Sequence, residues 1–150
     1  MTLLILVSAA CSPGDPGSTV QGVFYRPEDI AQGQALYEQT CAACHGVDGQ
    51  GQFPEAPLMP DSTGRYGAPP HNEGGHTWHH TDELLIRYVV EGGFADPKFF
   101  YEMPSFGALY DRQQAALIIA YIKTMWTPEQ RIRQHHMTLE EEQLVAQTKE

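Results

Sequence analysis

The chain has 150 residues, of which 41% are apolar, and 19 acidic against 9 basic residues give it a formal net charge of −10. This length suits one domain, and the acidic balance argues against nucleic-acid binding, which uses basic stripes. Glycine (14) and proline (11) are both frequent, so we expect much of the chain to be loop, and a bound cofactor would help such a domain to bury apolar surface.

The N-terminal segment resembles a bacterial lipoprotein signal. Residues 1–10, "MTLLILVSAA", are apolar and end in small residues before Cys11. We predict a signal peptide at 1–10, a lipidated Cys11 that anchors the protein to a membrane surface outside the cytoplasm, and a flexible tether over 11–26. No Lys or Arg precedes the apolar run, so the signal lacks its usual basic start. An ordinary cleavable signal and a truncated membrane anchor are the alternatives.

Helical patterns follow in three places. Pro27 suits the first turn of a helix over 26–44. Thr81 can cap a helix that Gly92 and Gly93 end. The strongest pattern covers 111–126, where Asp111 and Gln114 form a capping box before a broad apolar face. Residues 46–81 are expected to be irregular loop.

The last segment, 127–150, is a polar tail. Thr138 with Glu141 could cap a short helix that runs to Gln147. We predict that the tail is partly helical and either packs loosely or docks on another protein.

The sequence "CAACH" brings together Cys41, Cys44 and His45. A zinc ribbon would need a second cysteine pair, and a thiol oxidoreductase would need a βαβ scaffold, and the sequence indicates neither. Cys-x-x-Cys-His is the attachment signature of haem c. Each thiol can add to one haem vinyl group, and the next residue can then place an imidazole Nε2 on the iron. The motif therefore predicts one covalent haem, with Cys41 and Cys44 as its thioether ligands and His45 as the proximal iron ligand.

Residues 27–126 resemble the class I c-type cytochromes. Five stretches carry the resemblance: "GQALY" (33–37), "GVDGQG" (46–51), "PL" (57–58), "MPSFG" (103–107) and "LIIAYIKTMW" (117–126). The resemblance implies an all-α cytochrome c fold of three to four helices with long loops wrapping one haem. It also implies that the N- and C-terminal helices cross, with Gly33 allowing a close approach to Ala120 and Tyr121.

The resemblance also implies the remaining ligands. Met103 is the predicted distal iron ligand. Met59, which also precedes a proline, and the histidines of 71–80 are the alternatives, while Met125 falls in a regular helix and is expected to be core. Pro57 and Leu58 are predicted haem contacts, and the Pro57 carbonyl is expected to accept a hydrogen bond from His45 Nδ1.

A histidine cluster, defined here as His71, His76, His79 and His80, surrounds Trp78. A second metal site for copper or zinc is one hypothesis. The favoured one is haem lining, with Trp78 or a histidine donating a hydrogen bond to a haem propionate. A loop with a simple structural or solvated role is the third, and docking of another protein is the fourth. Histidines titrate near neutrality, so this loop could make the reduction potential depend on pH.

We expect an extracytoplasmic monohaem cytochrome that carries single electrons and catalyses no reaction of its own. Its partners would be redox proteins such as a membrane quinol-oxidising complex or a terminal oxidase. A five-coordinate haem enzyme or a gas or peroxide sensor is one alternative. A fixed electron-relay subunit of a membrane oxidoreductase complex is the other.

Overall fold

The computed structural model describes residues 14–57, 59–95 and 102–149. Its elements are the strands β1 (Thr19–Val20) and β2 (Val23–Phe24), the helices α1 (Pro27–Thr40), α2 (Ala42–His45), α3 (Asp82–Glu91), α4 (Arg112–Lys123) and α5 (Pro128–Gln147), and the 3₁₀ helices Thr77–His79 and Gly92–Ala95. The predicted all-α class is confirmed. The signal peptide at 1–10, Cys11 and Leu58 lie outside the described residues, and the predictions about them stay predictions.

Helices α1 and α4 cross at Gly33. A Cβ atom built there would lie 2.1 Å from the carbonyl oxygen of Leu117 and 3.2 Å from Cβ of Tyr121. Only glycine allows the two backbones to come this close. The resemblance implied this close approach and the contact with Tyr121, but the nearest backbone is that of Leu117 rather than Ala120. One turn further along α1, the buried ring of Tyr37 packs against Tyr121 with the ring centroids 5.3 Å apart.

The predicted helix caps are present. The Thr81 hydroxyl accepts a hydrogen bond from the Leu84 amide at 3.4 Å and begins α3. At the start of α4, Asp111 accepts from the Gln114 amide at 2.8 Å, and the Gln114 side chain accepts from the Asp111 amide at 3.1 Å. These contacts satisfy amide groups that have no partner within the helix.

The prediction of a flexible tether is wrong for residues 14–26. Strands β1 and β2 pair in an antiparallel hairpin, and Val20 is only 1% exposed in the core. The turn residues Gln21 (φ 48°) and Gly22 (φ 75°) both have left-handed backbone conformations, which suit a tight two-residue hairpin. Glycine and proline are frequent around Val20, so the sequence contained no signal for a strand. The strand is stable because Val20 packs in the core.

The predicted start of the C-terminal helix is also wrong. Helix α5 begins at Pro128, and the hydroxyl of its N-cap residue Thr127 accepts from the Gln130 amide at 3.3 Å. Thr138 lies in the middle of this helix, and it is buried rather than a cap. Pro128 closely follows the predicted helix over 111–126, where a proline can end a helix, but proline is equally suited to begin one.

A buried polar cluster joins the hairpin and α5 to the rest of the domain. The carboxylate of Asp82 accepts hydrogen bonds from Lys123 Nζ at 2.6 Å, from Gln134 Nε2 at 2.7 Å and from the Gln21 amide at 2.7 Å. Lys123 Nζ also donates to the Thr19 carbonyl at 2.5 Å. Four separate segments of the chain therefore meet at one ion pair.

Within the described ranges, no helix combines the length and the apolar character needed to cross a bilayer.

Candidate cofactor site

A single cleft collects the cysteines and histidine of the motif together with Met103. With its open mouth it contains about 1230 Å³ of empty space. Aliphatic side chains of α3 and α4 supply much of its lining, among them Leu85, Val89, Ile118, Ile119 and Ile122. A concave, mostly apolar cleft with a few polar groups is typical of cofactor sites.

The single turn of α2 presents the motif. The amides of Cys44 and His45 both donate to the Cys41 carbonyl, at 3.1 and 2.9 Å. Positions three and four residues apart share one side of a helical turn, so all three side chains can face the cleft. Burial raises the pKa of the Cys41 thiol to about 11, and the nearby Cys44 thiol adds to this shift. Cys44 is exposed, and neither thiol forms a disulfide within the described residues.

His45 is held in a single tautomer by its surroundings. Its side chain is buried, and Nδ1 lies 2.8 Å from the carbonyl oxygen of Pro69. A carbonyl can only accept, so Nδ1 carries the proton and Nε2 keeps a lone pair. Burial lowers the pKa of His45, and the bond to Pro69 partly opposes that shift. A buried neutral imidazole whose Nε2 keeps a lone pair is the form that binds a metal.

The prediction that Pro57 orients His45 is wrong, because Pro69 has that role. The Gln52 amide donates to the Ala68 carbonyl at 2.9 Å, and the His71 amide donates to the Gly49 carbonyl at 2.7 Å. These bonds hold the stretch 68–71 beside the loop that follows His45. Pro57 belongs to a different turn and is not among the residues that line the cleft. The Pro-Leu pair at 57–58 had indicated Pro57 by resemblance, but backbone pairing across the loop decides the acceptor.

The Met103 loop is attached to the end of α3. The amide of Gly93 donates to the Met103 carbonyl at 2.8 Å. Gly92 has φ +76°, and a Cβ atom there would lie 2.5 Å from the same carbonyl. The amide of Phe106 donates to the Val89 carbonyl at 3.0 Å. Gly92 and Gly93 therefore end α3 and also hold the loop that carries Met103 in place.

The two Met-Pro candidates differ in environment. Met103 lines the cleft and is half-buried, whereas the Met59 side chain is 64% exposed and lies outside it. Met125 packs half-buried against the core, as predicted, but it lies in the turn after Lys123, where α4 ends, and not in a regular helix.

The histidine cluster divides into two parts. His71, His76 and His80 line the cleft, whereas His79 is exposed and stacks on Trp78. The ring of His71 stacks on His45 with centroids 3.9 Å apart and an interplanar angle of 21°. A haem cannot fit between two rings in face-to-face contact, so His71 cannot be the ligand opposite His45. In the part of the chain that the structure describes, no group of three or more His, Cys, Asp or Glu side chains could hold a further metal ion.

The prediction that Trp78 donates a hydrogen bond to a haem propionate is wrong in this structure. Its only N–H group donates to the Gly75 carbonyl at 2.9 Å. The indole also lies 5.5 Å from the guanidinium of Arg133 on α5. The glycine turn before the 3₁₀ helix brings a carbonyl within reach, so Trp78 links this loop to α5 instead of lining the cleft.

Arg65, which no sequence motif indicated, lines the cleft and forms an exposed ion pair with Glu102, the residue before Met103. Haem carries two propionates, and Arg65 is a suitable cation for them. One signal was present in the sequence: Arg65 is the only Lys or Arg between Arg26 and Arg87.

Comparison with known proteins agrees with this site. The cytochrome c family profile matches residues 30–126, more than half of the chain. The chain is also similar to a 1-butanol dehydrogenase (cytochrome c) from Thauera butanivorans, with 53% identity over 30 residues, which cover 20% of this chain and 4% of that protein. No solved structure matches. The chain belongs to the cytochrome c family. The predicted cytochrome c fold and the predicted covalent haem c are therefore confirmed, and the protein is a haem-based electron-transfer protein.

Proposed function

We propose that this cytochrome c domain carries single electrons between redox proteins outside the cytoplasm. Cys41 and Cys44 would attach the haem, and His45 and Met103 would be the axial iron ligands. The observation that supports this most directly is the cleft itself, since it contains the whole attachment motif and one of the two Met-Pro candidates.

The chain's own residues would set the properties of the site. When bound, haem c supplies an iron that gains and loses one electron. Pro69 keeps the proton of His45 on Nδ1, which leaves Nε2 for the metal. As an iron ligand, the thioether of Met103 would favour the reduced state and so raise the reduction potential. The aliphatic side chains of α3 and α4 keep water from the buried part of the cleft.

Replacing Met103 tests this assignment. Met103→Ala should produce a high-spin haem that binds CO, because the distal position becomes open. The wild-type protein should be low-spin in both redox states, should show a weak far-red sulfur-to-iron band when oxidised, and should not respond to CO. Visible spectra of both oxidation states, with and without CO, measure these differences.

Met59→Ala is the matched control, because Met59 also precedes a proline but lies outside the cleft. It should have the wild-type spectrum. A CO-sensitive wild-type protein would contradict the carrier proposal and favour the five-coordinate enzyme or sensor. Loss of the far-red band in Met59→Ala instead of Met103→Ala would reassign the distal ligand.

A second candidate, a relay subunit fixed in an oxidoreductase complex, is favoured by α5. Its first half is anchored through buried Gln134 and Thr138, whereas Leu139, Leu144 and Val145 in its second half are exposed. The 30-residue similarity to a 1-butanol dehydrogenase (cytochrome c) is consistent with an oxidoreductase as the electron donor of such a subunit. Truncation after residue 141 keeps both anchors. Loss of co-purification with a membrane complex, with an unchanged haem spectrum, would favour the subunit, and unchanged partners would favour a mobile carrier.

The extracytoplasmic location is supported by the apolar residues 1–10 and the small residues before Cys11. The partners would then be membrane-associated, such as a quinol-oxidising complex or a terminal oxidase. Mass spectrometry of the mature N-terminus tests the anchor. An acylated Cys11 is expected, and an unmodified Cys11 would contradict the lipid anchor.

A further inference from the structure

His71 is the member of the histidine cluster that touches the proximal ligand. Its ring stacks on His45 at a centroid distance of 3.9 Å and also makes an edge contact with buried Tyr37 at 6.1 Å. Neither the attachment motif nor Met103 requires an aromatic ring at this place. We propose that His71 is a positioning residue that fixes the plane of the His45 imidazole. This inference rests on the proposed function, in which His45 binds the iron.

The bond to Pro69 alone does not fix that plane. One hydrogen bond from Nδ1 sets the tautomer and one point of contact, but the ring can still tilt about the line of that bond. A second flat ring against the face of the first removes this freedom. His45 is therefore constrained at its edge by Pro69 and across its face by His71.

His71 can act in this way because it is itself held firmly. Its Nδ1 lies 2.9 Å from the Thr77 hydroxyl, which donates its own proton to the Pro70 carbonyl at 3.1 Å. The hydroxyl must therefore accept from His71, so Nδ1 carries a proton. The His71 carbonyl also accepts from the indole of Trp126 at 2.8 Å. A ligand-supporting residue transmits orientation only when its own rotamer is locked in this manner.

The orientation of an axial imidazole determines how unpaired spin is distributed over the ring of a low-spin ferric haem. Changing His71 should therefore alter spectroscopic properties and the reduction potential even where the fold is kept. A residue that only fills space would affect stability and leave those properties unchanged.

Three variants test the proposal in the holoprotein. His71→Leu removes the flat ring, His71→Phe keeps a flat ring, and Thr77→Val keeps the histidine but removes the hydroxyl that holds it. The readouts are the hyperfine-shifted haem methyl signals in the proton NMR spectrum of the ferric protein and the midpoint potential. His71→Leu should change the order and spread of the methyl signals, Thr77→Val should change them less, and His71→Phe should change them least.

His79→Leu is the matched control, because His79 is exposed and stacks on Trp78 rather than on His45. It should keep the wild-type methyl pattern. A wild-type pattern and potential in His71→Leu would overturn the proposal, as would a change in His71→Phe as large as that in His71→Leu. If a variant does not take up haem, nuclear Overhauser contacts between the two histidine rings in the reduced wild-type protein decide the matter, and their absence also overturns the proposal.

The proposed function and the role of His71 can be contradicted by different results. A wild-type protein that is high-spin or binds CO contradicts the proposed function whatever His71 does. A low-spin wild-type protein with a silent His71→Leu variant contradicts only the role of His71.

Discussion

Replacing Lys123 by Met should destabilise the protein strongly, although Lys123 is far from the attachment motif in sequence. Lys123 is 1% exposed, and its ammonium contacts the Asp82 carboxylate at 2.6 Å and the Thr19 carbonyl at 2.5 Å. Methionine has a similar length but no charge and no donor. The substitution therefore leaves a buried carboxylate without its cation and a carbonyl without its donor.

The expected loss in the free energy of unfolding follows from that geometry. Removing one partner of a buried ion pair costs about 3–5 kcal/mol. Asp82 still accepts hydrogen bonds from the Gln21 amide and from Gln134, which places the loss toward the lower end of this range. For a chain of this size, each kcal/mol lowers Tm by roughly 2–4 °C. A decrease in Tm of roughly 6–12 °C is expected for a loss of about 3 kcal/mol.

Urea unfolding of the holoprotein, followed by circular dichroism, measures this loss. Arg87→Met is the matched control, because it breaks the Arg87–Glu91 pair, whose side chains are 41% and 42% exposed. Exposed pairs of this kind contribute about 0.3–0.5 kcal/mol. A loss in Lys123→Met of less than about 1 kcal/mol, no larger than in the control, would refute the reasoning that a buried cluster ties the hairpin and α5 to the domain.

Three further predictions concern other parts of the structure. Gly33→Ala should lower the free energy of unfolding by about 1–3 kcal/mol in urea titrations, because the new Cβ meets a backbone carbonyl of α4 that cannot move aside; Gly14→Ala, where nothing lies within 4 Å, should have little effect. Gly92→Ala places an alanine at a positive φ angle, at a cost of about 1–3 kcal/mol, and its Cβ meets the Met103 carbonyl. The displaced Met103 loop should weaken the far-red band of the oxidised spectrum. An unchanged band would contradict the role of Gly92. The hydrogen bond from Arg131 lowers the pKa of the Asp15 carboxyl from its ordinary value of 3.8. The ionised Asp15 therefore stabilises the folded protein fully above pH 3.8, and this stabilisation is lost as the pH falls through the pKa of the folded state. Asp15→Asn should therefore cost at most about 1 kcal/mol at pH 7, after allowance for solvent screening, and the difference from wild type should vanish in strong acid; a difference that grows in acid would contradict this sign.

Features that depend on neighbouring residues were predictable. The Thr81 and Asp111 caps act within three residues, so the sequence contains all the information that they require. Gly33 was predictable because the resemblance supplied the crossing partner. Helix α5 was placed too late because Pro128 is compatible with both an end and a beginning, and the packing of the hairpin against Lys123 had no local signal.

Within the site, the attachment motif was predictable from neighbouring residues, whereas the residues that contact it from other segments were not. The choice between Met103 and Met59 could be argued from their positions in the chain, but their exposures distinguish them directly. The acceptor for His45 lies 24 residues away in sequence, beyond a loop rich in glycine and proline. Such a loop has many accessible conformations, so its pairing cannot be deduced from its composition.

The sequence by itself determined the covalent chemistry, because Cys41, Cys44 and His45 lie in one helical turn whose spacing does not depend on the rest of the fold. It also determined the main helices through their caps and apolar periodicity. Only the tertiary structure decided that Pro69 and His71 contact His45 and that Trp78 packs beside Arg133 of α5 rather than lining the cleft. The reason is physical: those contacts are formed between segments far apart in the chain, and their energies exist only after the loops have closed around the cleft.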